Sequence, residues 1–171
     1  MKTLHIFDFD DTLINSDAKV KITDKDGNVK ELSSEEYASY SHKETDEQDF
    51  TAFDAYPKNP EIIGPVFLEL KAAIAKSGSS NVVILTARSN PVPVRLFLNE
   101  NKIPNIDIVA VGSSNPLDKA LYILKRVKDD AFEEVQVFED NVRNIRSIRK
   151  VMKGSNIVLK TNRVKNGKIE S

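Results

Sequence analysis

Five short apolar runs, rich in β-branched residues, alternate along the chain with stretches of helical spacing. None of these runs alternates cleanly between polar and apolar residues, which is typical of parallel strands buried on both faces. Strands separated by helices indicate a doubly wound sheet, so we predict a three-layer α/β fold with a parallel sheet of about five strands. The predicted strands are Thr3–Phe9, Val82–Leu85, Ile106–Val111, Val135–Phe138 and Ile157–Leu159.

The helical stretches carry start and stop signals. Asn90 and Asn115 each precede a proline, the pairing of an N-cap residue with a first-turn proline. Gly78 and Gly154 follow the first and the last stretch and are suitable helix stops. Four helices are therefore expected, over residues 59–78, 90–104, 115–127 and 141–154.

The segment 15–57 interrupts this alternation. Residues 18–32 are typical of a hairpin that turns at Asp26 and Gly27. A short helix capped by Ser33 or Ser34 follows, and the rest is polar and expected to be irregular. A chain of 171 residues fits one domain, so we predict a single domain over 1–171 with 15–57 as a flap or small cap.

Composition excludes several classes of protein. The chain has no cysteine, so it has no disulfide, no thiolate metal site and no cysteine nucleophile. Asp8 interrupts the apolar residues near the start too early for a signal peptide. No run approaches the roughly 20 apolar residues of a membrane span. We expect a soluble, cytoplasmic protein without a membrane partner.

Charge is unevenly distributed along the chain. Residues 15–56 contain five lysines and eleven acidic residues, whereas residues 141–171 contain nine basic residues and one acidic residue. Such asymmetry can steer an anionic substrate, although most of these charges are expected to belong to a solvated surface. Arg143, Arg146 and Arg149 lie on one helical stripe, for which a solvated face is also the favoured interpretation.

Three carboxylates, Asp8, Asp10 and Asp11, crowd the end of the first predicted strand. Like charges at this spacing repel, and burying them without a partner is costly. In an open parallel sheet, ligands bind outside the carboxyl ends of the strands. A divalent cation at this edge would hold the carboxylates together. Other polar residues expected at the same edge are Thr12, Thr86, Arg88, Lys119, Glu139 and Asp140.

These residues resemble the four motifs of the haloacid dehalogenase-like (HAD) phosphohydrolases, in order along most of the chain. DFDDT at the end of the first strand is similar to DxDxT, and LT in ILTAR is similar to the hydrophobic-Thr motif. Lys119 matches the isolated lysine, and VFED matches the terminal acidic motif. The resemblance implies a Rossmann-like fold and a Mg²⁺-dependent phosphomonoester hydrolase with a small cap or none.

The resemblance also implies roles for the residues after the first strand. Asp8 would be the nucleophile that forms an aspartyl-phosphate, and Asp10 the general acid and base. Thr12 would orient Asp10 and contribute to substrate binding. Mg²⁺ would be held by Asp8, by the backbone carbonyl of Asp10 and by Asp140.

Further roles fall on the later motifs. Thr86 would hydrogen-bond the phosphoryl group, and Lys119 would neutralise it while keeping Asp8 ionised. Arg88 is a candidate substrate-binding residue, with a structural ion pair as the alternative. The acidic motif departs from the commonest family pattern, because Asn144 stands where a second aspartate is frequent. The sequence therefore leaves open whether Asp140 or Glu139 is the metal ligand.

Several functions remain open on the sequence alone. The main hypothesis is a phosphatase whose phosphorylated substrate is a small molecule or a polynucleotide end. The phosphatase domain of phage-type polynucleotide kinase–phosphatases looks similar, so a nucleic-acid 3′-phosphatase acting on a polynucleotide end is one alternative, and a nucleotidase another. A phosphotransferase would differ only in its acceptor. A phospho-receiver domain or an inactive binding scaffold is the non-enzymatic alternative, and the sequence leaves the oligomeric state undetermined.

Three other titratable residues have simpler interpretations. Asp11 is expected to be solvated or to support its neighbours rather than to act in catalysis. His5 lies within the first strand and is expected to be a packed residue. His42 lies in the irregular segment and is expected at the surface.

Overall fold

The computed structural model describes residues 1–15, 17–41, 43–57 and 59–170, so the prediction for His42 lies outside the described residues. Eleven strands are assigned in the described ranges. They are β1 (Thr3–Phe7), β2 (Ile14–Asn15), β3 (Lys19–Thr23), β4 (Val29–Ser33), β5 (Glu47–Asp49), β6 (Glu61–Ile62), β7 (Val82–Thr86), β8 (Asp107–Ala110), β9 (Glu134–Glu139), β10 (Val158–Lys165) and β11 (Lys168–Ile169).

The central sheet has six strands in the order β11-β10-β9-β1-β7-β8. All neighbouring pairs are parallel except β10 with β11, which is an antiparallel hairpin. The doubly wound parallel sheet predicted from the sequence is confirmed. The chain runs outward from β1 through β7 to β8, then returns to β9 on the other side of β1. The strand order therefore reverses between β1 and β9, the position at which such sheets bind ligands.

Five α-helices are assigned among the residues that the structure describes, one in the segment after β1 and four beside the sheet. Asn115 accepts a hydrogen bond from Leu117 N–H and caps its helix as predicted. The helix expected from Asn90 begins at Val92, with Pro91 in the capping position. The helices are α1 (Ser34–Ala38), α2 (Gly64–Ser77), α3 (Val92–Glu100), α4 (Pro116–Asp129) and α5 (Val142–Met152).

Two apolar layers cover the sheet, and β1 contributes to both. Leu4 and Ile6 pack in the cluster that contains residues of α4 and α5. Phe7 packs in the cluster that contains residues of α2 and α3. Because successive side chains of a strand point to opposite faces, an unbroken apolar run is what a sheet covered on both faces requires. His5 is buried as expected, with Nε2 2.9 Å from Ser77 Oγ.

The segment after β1 forms a small antiparallel unit that we call the cap, residues 17–57 without His42. Its sheet has the order β4-β3-β5, and Ser33 caps α1 with Glu36 in a reciprocal capping box. The predicted hairpin and short helix are confirmed. The stretch expected to be irregular instead contains β5 and a short 3₁₀ helix, Thr51–Asp54. β5 was missed because all its side chains are exposed and its pairing is carried by the backbone.

The C-terminal part extends the sheet further than predicted. The last long strand, β10, runs over Val158–Lys165 instead of ending at Leu159. The sequence did not indicate this extension because residues 160–165 are polar except for Val164. Asn166 and Gly167 connect β10 to β11 in an antiparallel hairpin. Within the described ranges, no helix is long and apolar enough to cross a membrane.

Candidate functional site

β1 and β9 end side by side, and the acidic residues that follow them come together. The strands pair with Phe7 opposite Phe138, and Asp8 N–H donates to the Phe138 carbonyl at 3.0 Å. One carboxylate oxygen from each of Asp8, Glu139 and Asp140 lies within 4.8 Å of the others. The predicted meeting of the first and last acidic motifs is therefore confirmed.

Lys119, in the first turn of α4, reaches into this acidic group. Its Nζ donates to Asp8 Oδ1 and to Glu139 Oε2, both at 2.9 Å, and the residue is 3% exposed. Burial acts to lower the pKa of Lys119, but the charges of the two carboxylates outweigh it and raise that pKa above its usual value. Lys119 is therefore a fixed positive charge against Asp8.

The three carboxyl groups differ in their titration. Burial, together with the charges of Asp8 and Glu139, raises the pKa of Asp140 well above its usual value. Burial and the Asp8 charge also raise the pKa of Glu139. Burial acts in the same direction on Asp8, but the Lys119 charge and hydrogen bonds with Asp140, Lys119 and Glu139 hold its pKa below the ordinary value. Asp8 is the carboxyl group that the site keeps ionised.

This donor set fits a hard divalent cation. Lys119 is ion-paired with Asp8 and Glu139, and this one positive charge beside three carboxylates leaves an excess of negative charge in a buried place. Burial and this excess of charge raise the pKa of Asp140. A cation that prefers oxygen ligands would oppose that shift, because metal binding favours the deprotonated ligand.

Thr12 lies between two of the acidic residues. Its Oγ1 donates to Asp8 Oδ2 at 3.0 Å and accepts a hydrogen bond from Asp140 N–H at 3.1 Å. The resemblance assigned this hydroxyl to Asp10, whereas the structure places it on Asp8 and Asp140. The reason is the tight turn after β1, in which Thr12 N–H bonds back to the Phe9 carbonyl at 3.3 Å. Thr12 thus links the two strand ends.

Asp10 is held by Arg88 in a two-bonded ion pair. Arg88 Nε donates to Asp10 Oδ2 and Nη2 donates to Oδ1, both at 2.8 Å. The third nitrogen of the guanidinium, Nη1, donates to the carbonyls of Phe53 and Ala55 in the cap. Arg88 is 4% exposed, so one buried side chain connects Asp10 to the underside of the cap. The ion pair considered for Arg88 is present.

Thr86 ends β7 at the same edge of the sheet. It is 1% exposed, and its Oγ1 accepts a hydrogen bond from Arg88 N–H at 3.2 Å. A cavity of about 270 Å³ opens above it, between the sheet and the cap. Except for Thr12, every residue predicted for the site lines this cavity, together with Glu139. These residues are Asp8, Asp10, Thr86, Arg88, Lys119 and Asp140.

Asp11 was expected to be solvated or to support its neighbours, and the structure shows it partly buried instead of solvated. Its backbone is left-handed, with φ 59°, and its Oδ2 is buried without a hydrogen-bond partner among the described residues. Burial, followed by the charges of Asp10, Asp8 and Glu35, raises the pKa of Asp11 to about 7. The carboxylate crowding seen in the sequence therefore persists in the fold.

The cap supplies cavity residues that sequence reasoning missed. Tyr37, Phe50 and Phe53 lie over the polar floor, and Arg143 of α5 donates to the Tyr40 carbonyl at 2.9 Å. Arg143 therefore serves as a contact to the cap and not only as part of a solvated stripe. The signal that could have found the roof is the recurrence of aromatic residues in a segment that is otherwise polar.

Comparisons with known protein families, with curated proteins and with solved structures find no match to this chain. The structure shows an α/β fold with a buried cluster of acidic side chains at the point where the strand order of its parallel sheet reverses.

Proposed function

We propose that the protein is a Mg²⁺-dependent phosphomonoesterase that works through an aspartyl-phosphate on Asp8. One observation carries the proposal: three carboxylates and one lysine are buried together at the reversal point of the sheet, on the floor of a cavity. Burying a cluster of carboxylates costs free energy, so such a cluster indicates a functional site.

The residues that would hold the ion are Asp8 and Asp140, with the Asp10 carbonyl completing the set that the family resemblance implies. Glu139 is the other carboxylate within reach. It bonds Lys119 at 2.9 Å, as Asp8 does, so we favour Asp140 over Glu139 because the Asp140 carboxylate is not one of the two that bond Lys119. When bound, Mg²⁺ would offset the charge of the phosphoryl oxygens and of Asp8, which otherwise repel each other.

The first chemical step is attack by Asp8 on phosphorus. A bond forms between a carboxylate oxygen of Asp8 and phosphorus, and the bond from phosphorus to the ester oxygen breaks. Asp10 gives a proton to the departing oxygen, which leaves as an alcohol. Lys119 keeps Asp8 in the ionised form that can attack, and Thr86 hydrogen-bonds a phosphoryl oxygen.

The second step returns the enzyme to its starting form. Asp10, now a carboxylate, takes a proton from water, and the resulting hydroxide attacks phosphorus as the bond to Asp8 breaks. Arg88 donates to both carboxylate oxygens of Asp10 at 2.8 Å. Because the first step needs a proton on Asp10, the proposal requires the Arg88–Asp10 pair to loosen when substrate enters.

Metal dependence is the direct test. We expect the purified protein to release phosphate from p-nitrophenyl phosphate with Mg²⁺, and we expect EDTA to stop the reaction because the carboxylates then repel the phosphoryl group. Released p-nitrophenolate is measured by absorbance. A preparation that stays inactive with Mg²⁺ on every phosphate ester tried would instead support a binding scaffold or a receiver domain.

Asp10→Asn tests the acid–base assignment. Since asparagine can neither give nor take the proton, we expect kcat/KM for an alkyl phosphate to fall by about 10²- to 10⁴-fold. The loss should be smaller for p-nitrophenyl phosphate, whose departing phenolate needs no proton. Phosphate release from both esters gives the comparison.

The matched control for Asp10→Asn is Asp26→Asn, in the exposed turn of the cap hairpin. It makes the same chemical change away from the cavity and should leave both values of kcat/KM as they are. Full activity of Asp10→Asn on the alkyl ester would show that Asp10 is not the acid or the base.

A further inference from the structure

The roof of the cavity is aromatic, although its floor is charged. Val20, Tyr37, Phe50 and Phe53 from the cap face the cavity that contains Asp8. From this arrangement we infer a subsite in the cap for a planar ring, so that the preferred substrate is a small phosphomonoester whose alcohol carries such a ring. This inference rests on the proposed function and names its substrate class.

Phe50 is the most exposed of these four side chains. The apolar core of the cap consists of Val20, Ile22 and Phe53 with partly buried neighbours, and Phe50 is outside it. Its side chain stays 38% exposed while lining the cavity. Because the Phe50 ring is still exposed to water, a ligand ring that covers it buries additional apolar surface, which favours binding.

Tyr37 and Phe50 form a corner that matches a flat ligand. Their ring centroids are 5.4 Å apart and their planes are nearly perpendicular, at 86°. A planar ring can therefore stack on one side chain while its edge meets the face of the other, and both arrangements are favourable for aromatic groups. Neither geometry gives the same gain with a flexible sugar or a short alkyl chain.

Hydrogen bonds hold Tyr37, one wall of the corner, and the cap backbone in position. Tyr37 Oη donates to Gln48 Oε1 at 2.6 Å and lies 3.2 Å from Ser114 Oγ, in the loop between β8 and α4. Arg143 and Arg88 bind the cap backbone at Tyr40 and Ala55 from the other sides. A subsite whose walls are already in position loses little entropy when it binds a ligand.

Size and charge favour a small ester over a polynucleotide. The volume of about 270 Å³ is near the lower end of the range for small-molecule sites, roughly 300–1,000 Å³. It suits a phosphoryl group with one or two rings. The excess of acidic residues in segment 15–56 would repel a polyanion passing over the cap.

The test compares esters that have the same departing oxygen and differ only in the ring. Adenosine 5′-monophosphate is paired with ribose 5-phosphate, and 2-phenylethyl phosphate with propyl phosphate. We expect kcat/KM to be higher by about 10-fold or more for the ring-bearing member of at least one pair. This is the factor that stacking of one ring on an aromatic side chain contributes. Equal values within both pairs would overturn the inference, as would a 3′-phosphorylated oligonucleotide that is cleaved faster than every small ester.

Variants of Phe50 locate the effect. We call the ratio of kcat/KM for the ring-bearing ester to kcat/KM for its ring-free partner the ring preference. Phe50→Ala should reduce this ratio to near one, whereas Phe50→Trp retains a ring and should keep the ratio. Leu68→Ala, on the exposed face of α2 and away from the cavity, is the matched control and should change neither ester of a pair. A ring preference that survives Phe50→Ala, in protein with an unchanged unfolding midpoint, would overturn the subsite.

Failure of this inference differs from failure of the proposed function. If no ester releases phosphate with Mg²⁺, the phosphatase proposal fails. If all four small esters release phosphate at matched rates, the phosphatase proposal stands and the aromatic subsite fails.

Discussion

Asp8→Asn is expected to reduce Mg²⁺-dependent phosphate release by at least about 10⁴-fold, to the background rate. The amide cannot attack phosphorus, and the site offers Asp8 as the one carboxyl group of the three whose pKa is held below its usual value. In the variant, Lys119 still has Glu139 as its ion-pair partner. The substitution also removes the charge of Asp8, which reduces the repulsion among the three carboxylates. We therefore expect the variant to fold with an unfolding midpoint close to that of the wild type.

A labelling experiment separates a nucleophile from a general base. Incubation with an ester carrying radioactive phosphate, followed by rapid acid quenching, should leave label on the wild-type protein and none on Asp8→Asn. An acyl phosphate is cleaved by hydroxylamine, so hydroxylamine should remove the label. Label that persists in Asp8→Asn would place the covalent bond elsewhere.

Asp129→Asn is the matched control for Asp8→Asn. It makes the same substitution in an exposed i,i+4 ion pair with Lys125 on α4, far from the cavity lining. Turnover and labelling should both match the wild type. A loss of turnover in this control as well would mean that the assay reports on a general property of the protein and not on Asp8.

The central sheet could be predicted because it follows from local pattern. The strands β1, β7 and β9 are buried along almost their whole length. Their sequences are therefore rich in apolar, often β-branched residues and stand out from the helices. Once those strands are recognised, the right-handed, doubly wound arrangement brings their carboxyl ends to one edge. The sequence alone therefore predicts that Asp8 and Asp140 lie close together.

The cap and the hydrogen-bond partners could not be predicted in the same way. β5 has three exposed residues and pairs through its backbone, so its sequence carries no periodic signal. Thr12 bonds Asp8 and Asp140 because of a tight turn whose geometry is not encoded in the spacing of the motif. The Arg88 contact with Ala55 joins residues 33 positions apart, and such contacts depend on how the cap folds back over the sheet.

Lys119→Met is expected to lower the free energy of unfolding by about 3–5 kcal/mol in the absence of Mg²⁺, because it removes the partner of buried carboxylates. Methionine keeps the length of the side chain and fills the same space, so the change isolates the charge. The Nζ contacts that are lost are those with Asp8 and Glu139, both at 2.9 Å. Urea unfolding at neutral pH, followed by circular dichroism, gives the value.

The cost of losing Lys119 should depend on pH and on metal in predictable directions. At low pH the carboxyl groups are protonated in both folded and unfolded protein, so the difference between Lys119→Met and wild type should shrink as pH falls. Added Mg²⁺ supplies the missing positive charge and should raise the unfolding midpoint of the variant more than that of the wild type.

Controls on the same helix and at the same site make the Lys119 prediction specific. Lys125→Met alters an exposed lysine one and a half turns further along α4, paired with Asp129, and should hardly change the unfolding midpoint. Lys119→Arg retains a positive charge and should recover part of the stability. If Lys119→Met unfolds at the same urea concentration as the wild type, the carboxylates beside it are not ionised together in the folded protein. A cation site built on their shared charge would then have no basis, because the excess negative charge that draws the cation would not exist.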